Sequence, residues 1–512
     1  MSLTTKAKPT VTALEKYFLP FREKVIGWNQ TFQSPFGNQP IVYADWTASG
    51  RLYEPIEQRL LYDIAPFVGN THTETTITGS AMTVAYHEAK ARIKKHVGAE
   101  EKDILISTNS GMTGVVNKFQ RILGLKIHER FRKQIQLPEV ERPVVFVSHM
   151  EHHSNQTSWL ETIADVEVIA PNEEGLMDLN DLHRLLEKFK NRKTKIAAIT
   201  SCSNVTGIKT PYYQVAEIMH LHDGLCFVDF ACSAPYIDIN MRPENPLQHL
   251  DALYFSPHKF LGGPGTTGIL VFDPKLYKNK VPDNPGGGTV DWTNPWGGHK
   301  YIEEIESRED GGTPAFLQTM KVAMCVQLKE EMGVDKILAR EKEILDIIWS
   351  RFDQIPNLRL LADQHRNRLG VISFYIDDLH YNLGVKILND RFGIQVRGGC
   401  SCAGTYGHYL LHVSEQQSKS ITEQIDHGNL SAKPGWIRLS IHPVMTNQEI
   451  YYIMDAIEAL AQNHQEWSAD YHCTLGKNEY TYTKECPSEQ DLVREWFNKR
   501  LVTASLDAKT RS

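Results

Sequence analysis

From about residue 40 to residue 280 the chain alternates short apolar runs with segments of helical period, and that alternation admits few folds. "DILIS" (103–107) precedes "GVVNKFQRILGL", and "PVVFVS" (143–148) precedes "SNQTSWLETIA". "VEVIA", "KIAAITS", "GLCFVD" (224–229) and "ALYFS" (252–256) follow. Short apolar runs bounded by turns and separated by helices predict an α/β fold with a mostly parallel sheet covered on both faces. In such a sheet a ligand sits beyond the carboxyl ends of the strands.

A Gly/Pro-rich connector, "PDNPGGGTVDWTNPWGG" (282–298), breaks the pattern. A long helix candidate around "PAFLQTMKVAMCVQLKEEMG" comes next, then "GVISFYI" (370–376), "VKILNDRFGIQV" and "GWIRLSI". That is the α+β layout of a smaller second domain. We divide the chain into an N-terminal segment packing with the small domain (1–38), a large domain (39–300), a small C-terminal domain (301–468) and a C-terminal extension (469–512). In the extension, "SEQD" (488–491) has the form of a capping box opening a short helix.

Composition excludes several classes. The net charge of −7, from 55 basic and 62 acidic residues, gives no basic footprint for nucleic acid. No apolar stretch reaches the length of a membrane span, and the N-terminus lacks the apolar region of a signal peptide. Eight cysteines are few for 512 residues, and Cys202 and Cys226 fall inside or beside strand-like runs. The expectation is a reducing, cytoplasmic setting rather than a disulfide framework.

The strand ends carry the chemistry. "DILISTNSGMTG" ends in a turn with Met112 and Thr113 that opens a helix, an anion site in waiting. "PVVFVSHMEHHSN" ends in His152 and His153, "KIAAITSCSNVTG" in Asn204, "GLCFVDFACS" in Asp229, and "LDALYFSPHK" in Ser256, His258 and Lys259. The loop that follows, "FLGGPGTTG", predicts a partner that closely approaches the backbone. Singly, each feature has an ordinary reading: a capping Asp, a solvated Lys, a surface His pair, a glycine turn. Together they describe one ligand. It carries a carbonyl for the amine of Lys259, a nitrogen held protonated by Asp229, a flat ring for an imidazole, and a phosphate for the Thr113, Ser256 and His258 donors. Pyridoxal 5′-phosphate meets every requirement.

The stretches "YADWTASG", "SGMTGVVN", "MEHHSN", "SNVTG", "VDFACS", "SPHKFLGGPGTTG", "VRGGCSCAG" and "WIRLSI" resemble, in order, the motifs of class V aminotransferase-fold enzymes, the pyridoxal-phosphate fold type I. Within that group they look most like the cysteine desulfurase and selenocysteine lyase branch. The resemblance spans roughly residues 40–460, and it implies roles. Lys259 binds the cofactor covalently and moves the proton at the substrate Cα, while Asp229 keeps the pyridine nitrogen charged. His152 stacks on the ring and moves protons as a catalytic residue, and Asn204 meets the phenolic oxygen of the ring. Thr113, Ser256, His258 and the Met112 N–H hold the phosphate. Arg438 clamps the substrate carboxylate, with Arg397 a second cation beside it. It further implies a small amino-acid substrate, a sulfur-acceptor protein, and a homodimer in which Thr289 is the candidate partner contribution.

In that branch a loop cysteine takes the sulfur or selenium as a persulfide, leaving alanine. Alignment from Arg397 places Cys402 there; the other readings of "CSC" are structural cysteines or a metal pair. Where desulfurases commonly carry Gln near the phenolic oxygen this chain has Cys232, and the polar stretch 403–437 is long. Two rivals stay open: another class V reaction (transaminase, epimerase or lyase) in which Cys402 is not catalytic, and a non-catalytic sulfur-relay or scaffold protein.

Overall fold

The computed structural model describes residues 10–501 apart from residues 72, 74, 109, 475 and 487. Its centre is a seven-stranded sheet in the order Ile104–Thr108, Gly268–Phe272, Ala252–Phe255, Leu225–Asp229, Lys195–Thr200, Val144–Ser148, Asp165–Ile169. Neighbouring strands are parallel except at Gly268–Phe272, which runs antiparallel to both its neighbours. The apolar runs of the sequence therefore sit within about a residue of the strands they predict.

The uniform apolarity of those runs has a direct cause. Leu105, Phe146, Ala197, Val228, Leu253 and Val271 face one core, and Ile106, Val147, Ala198, Phe227, Tyr254 and Leu270 face another. Alternate side chains point to opposite faces, and here both faces are dry, so no polar position interrupts the strand. Helices Gly111–Ile122 and His153–Leu160 cover one face, where the ring of Phe119 lies 5.0 Å from that of Phe227 and 5.2 Å from that of Phe272. Truncating such a residue to Ala costs about 3–5 kcal/mol.

Beyond the connector, helices Phe316–Met332 and Val334–Phe352 lead into a second, fully antiparallel sheet in the order Leu358–Leu360, Val371–Ile376, Trp436–Ser440, Arg397–Gly399. Residues 42–44, at the start of the large domain, are held by the small one. Val42–Tyr43 pairs in parallel with Ile394–Gln395, and the Ser440 N–H donates to Ala44 O at 2.8 Å. Thr446 and Glu449 form a full capping box on the helix Asn447–Ser468. In the C-terminal extension only half the expected box forms. Ser488 Oγ accepts the Asp491 N–H, but Asp491 turns its carboxylate to that same hydroxyl, consistent with a side chain shorter than the usual Glu or Gln. Among the described residues no helix is long and apolar enough to cross a membrane.

The polar stretch after Cys402 is structured. It forms helices Gly404–Leu410 and Glu415–Asp426, the second capped by a Ser414–Gln417 box. The buried Tyr406 of the first is within 3.2 Å of the Thr206 hydroxyl and packs edge-on to His149.

Candidate active site

Eleven residues given site roles from the sequence line one cavity of about 190 Å³ at the carboxyl edge of the large sheet: Met112, Thr113, His152, Asn204, Asp229, Ser256, His258, Lys259, Arg397, Cys402 and Arg438. Parallel strands put five of these carriers on one edge. The antiparallel Gly268–Phe272 strand returns the glycine-rich loop there too, because Gly268 pairs with Thr108.

Asp229 is buried at its strand end; Oδ1 accepts the Ala231 N–H at 2.7 Å. Burial raises its carboxyl to about 6, opposed by that hydrogen bond and by Lys259. Burial pulls the Lys259 ammonium below its ordinary range, with Cys232 and Asp229 pulling it back. The His152 imidazole is pushed down to about 3 by burial and by the neighbouring Lys259, so it stands neutral. Its Nδ1 accepts the Ser154 N–H at 3.1 Å, and the Ser154 hydroxyl is 2.7 Å from that of Thr113. The Met112 N–H donates to Ser256 Oγ at 3.1 Å, bringing the helix N-terminus to the serine. His258 Nε2 lies 3.2 Å from Ala48 O.

The glycines do something other than the sequence suggests. A Cβ on Gly268 would lie 2.1 Å from Gly111 O, and one on Gly263 2.0 Å from Pro257 O. The partner that approaches these glycines closely is the chain's own backbone, which packs the helix start and the lysine turn together.

Arg397 and Arg438 are directly opposed on adjacent strands. One carboxylate that sequence reasoning missed, Asp45, holds both: Arg438 Nη2 donates to Oδ1 at 2.8 Å and Arg397 Nε to Oδ2 at 3.0 Å. It lies in "YADWTASG", a stretch that carries the family resemblance, but nothing local shows its role, because its partners lie 352 and 393 positions away. Arg438 Nη1 also donates to Asn204 O at 3.1 Å, and Asn204 Nδ2 to Ser401 O at 2.7 Å, tying the arginine to the cysteine loop. Thr47, Ala48, Ser154, Thr200 and Cys202 also line the cavity. Each lies within a stretch already quoted from the sequence: Ser154 in "MEHHSN", Thr47 and Ala48 in "YADWTASG", Thr200 and Cys202 in "KIAAITSCSNVTG".

Cys402 is exposed, and it and Ser401 both adopt positive φ, 58° and 51°. Left-handed backbone costs about 1–2 kcal/mol at a non-glycine residue, so the turn that presents the thiol is strained. Cys400 is half-buried against an apolar cluster. Cys232 and Cys202 are buried, each Sγ 3.6 Å from Ser203 O, and the Cys202 thiol draws the Cys232 pKa down. All eight cysteines are free thiols. Thr289 does not suit a contribution to a neighbouring site: it is buried and its hydroxyl donates to Gly286 O.

The donor set fits pyridoxal 5′-phosphate. Asn204 Oδ1, Arg438 Nε, Ser401 Oγ and Thr47 Oγ1 are all buried without a partner in residues that line the cavity. Orphaned polar atoms of this density call for a polar, multiply bonded ligand.

A fold of this topology, with a lysine and an aspartate at the edge of the large sheet facing two arginines of the small one across a single cavity, defines a class of cofactor enzyme. The aminotransferase class-V family model matches residues 42–453, and the chain belongs to that family, whose members depend on pyridoxal phosphate. The chain is 27% identical over 368 residues to a probable cysteine desulfurase of Halalkalibacterium halodurans, covering 71% of this chain and 84% of that one. It is 28% identical over 374 residues to a probable cysteine desulfurase of Staphylococcus epidermidis, covering 72% and 84%. Among solved structures, the apo cysteine desulfurase of Thermococcus onnurineus superposes with a TM-score of 0.70 at 20% identity, covering 90% of this chain and all of that one. A cysteine desulfurase of Escherichia coli gives 0.67 at 19% identity, covering 88% and 99%. The structural likeness establishes the pyridoxal-phosphate fold type I.

Proposed function

We propose that this chain is a pyridoxal-phosphate-dependent cysteine desulfurase that takes sulfur from L-cysteine, or selenium from L-selenocysteine, and leaves L-alanine. The observation that carries this reading is one juxtaposition: an exposed thiol on a strained turn, Cys402, lines the same cavity as Lys259, Asp229 and Arg438. The named relatives support it.

Lys259 would hold the cofactor covalently, Asp229 its pyridine nitrogen, His152 its ring face and Asn204 its phenolic oxygen. Thr113, Ser256, His258 and the Met112 N–H would hold its phosphate. When bound, the cofactor supplies an electron sink at the substrate α-carbon. Arg438 binds the substrate carboxylate through its unpartnered Nε–H, a charge-assisted contact in a dry site. Lys259, with its proton affinity lowered by burial, removes and returns the proton at the substrate Cα. Cys402 Sγ attacks the substrate sulfur: an S–S bond forms, the Cβ–S bond breaks, and its electron pair stays with Cβ. A proton taken up at that carbon completes alanine. His152, neutral and hydrogen-bonded through Nδ1, covers the ring face and excludes water there.

The persulfide then passes to an acceptor protein. The active form is a homodimer of the cytoplasm. Incubating the purified, cofactor-loaded protein with a panel of amino acids and identifying the products tests the reading: alanine from cysteine supports it, and an amino- or keto-acid product from another substrate alone overturns it.

A further inference from the structure

Two arginines in one pocket ordinarily suit a substrate with two negative charges. The geometry around Asp45 says otherwise. Arg397 and Arg438 stand in direct cross-strand register, where like charges repel, and Asp45 gives one carboxylate oxygen to each. The acid cannot swing away freely. Its own carbonyl accepts the Ala48 N–H at 3.0 Å and the Tyr43 hydroxyl at 3.2 Å, and its flanks are pinned to Gln395 and Ser440. Behind it Trp46 stacks on His442 at 4.3 Å. The Asp45 and Arg438 side chains are only 12% and 4% exposed, so water screens their charge poorly, whereas Arg397 is 50% exposed.

We propose that Asp45 sets the substrate class: it offsets one of the two guanidinium charges, so the pocket takes an amino acid with one carboxylate and a neutral side chain and rejects an acidic one. This rests on the reading of the pocket as an amino-acid site. Charge counting gives the reason. Two arginines and one aspartate leave a single positive charge, which the α-carboxylate of cysteine or alanine neutralises. A second carboxylate, as in L-aspartate, would leave a net negative charge beside the buried Asp45–Arg438 pair. Asp45 touches the arginines, not the substrate; it acts as a specificity residue through them.

The test reads binding rather than turnover. Cofactor-loaded wild type, Asp45→Asn and the double variant Asp45→Asn/Arg397→Gln are titrated with L-alanine and L-aspartate, following the thermal midpoint and the cofactor absorbance. Wild type should bind alanine more tightly than aspartate. Asp45→Asn should shift the aspartate-to-alanine affinity ratio by about tenfold or more toward aspartate, the scale of one charge-assisted contact. The double variant, which removes the surplus cation and its repulsion, should restore the wild-type preference. If Asp45→Asn does not fold, the double variant still decides: a preference for aspartate in it contradicts the proposal. An unchanged ratio in Asp45→Asn, or equal loss of both ligands, would make Asp45 a structural strap only. Because alanine and aspartate bind without C–S cleavage, this result stands apart from whether cysteine is desulfurated.

Discussion

The backbone N–H of His153 donates to the carbonyl of Cys402 at 2.8 Å, and the Gly404 N–H returns to His153 Nε2 at 3.0 Å. The cysteine turn is thereby clasped to the first residue of the helix that follows His152. The imidazole beside the cavity and the thiol at its mouth thus share one anchor, on the carboxyl edge of the large sheet. A strained turn held by two bonds on one side chain and its backbone is easily loosened.

His153→Ala removes the acceptor of the Gly404 N–H and leaves the cavity lining in place. A lost hydrogen bond of this kind is worth about 1 kcal/mol. Amide exchange at residues 402–404 should quicken several-fold, with exchange in the central strands unchanged. Identical protection in variant and wild type would show that the clasp is incidental.

Lys259→Ala should abolish covalent attachment of the cofactor. Wild-type protein should be yellow, and borohydride treatment followed by peptide mapping should find the cofactor on Lys259. A colourless wild type that pyridoxal phosphate cannot reconstitute would defeat the assignment of the whole donor set.

Arg438→Ala should raise KM for cysteine very roughly a hundredfold while the cofactor absorbance stays, since a buried charge-assisted contact contributes about 2–3 kcal/mol. Normal KM in the variant would move the carboxylate site elsewhere, with Arg397 next in line.

Stability should depend on pH through His442, a fully buried imidazole stacked on Trp46 and pushed by burial down to about 3. The unfolded ring takes up a proton near pH 6.5 and the folded ring only near 3. Its support for folding is therefore complete above about pH 6.5 and is lost as the pH falls toward 3. His442→Asn keeps an acceptor for the Val444 N–H and does not titrate. Between pH 6.5 and 5 the wild type should lose about 2 kcal/mol that the variant keeps; urea melts at the two pH values with equal losses would refute this.

The sequence makes the large sheet legible because both its faces are dry, so apolar runs and strands coincide. The site is legible for the same topological reason: parallel strands bring their carboxyl ends together, so residues that close separate runs become neighbours. Lys259, Asp229, His152 and Asn204 needed no tertiary knowledge beyond that. Asp45 did. It sits in "YADWTASG", but its pairing with the arginines exists only once two strands from the far end of the chain stand beside it. The glycine loop misled because a glycine's freedom says that something comes close and not what; at Gly268 it is Gly111 O. Thr289 fails likewise, since "PGGGTV" does not disclose that its hydroxyl is spent on Gly286.

Sulfur departing on Cys402 is the central claim. The direct measurement incubates wild type, Cys402→Ala and Cys400→Ala with L-cysteine and follows alanine and thiol-bound sulfur by mass spectrometry. Wild type should form alanine and carry an extra sulfur atom on Cys402. Cys400→Ala should retain most of both, and Cys402→Ala should bind cysteine yet form neither product. Extra sulfur on Cys400, with alanine formed at the full rate in Cys402→Ala, would contradict the account.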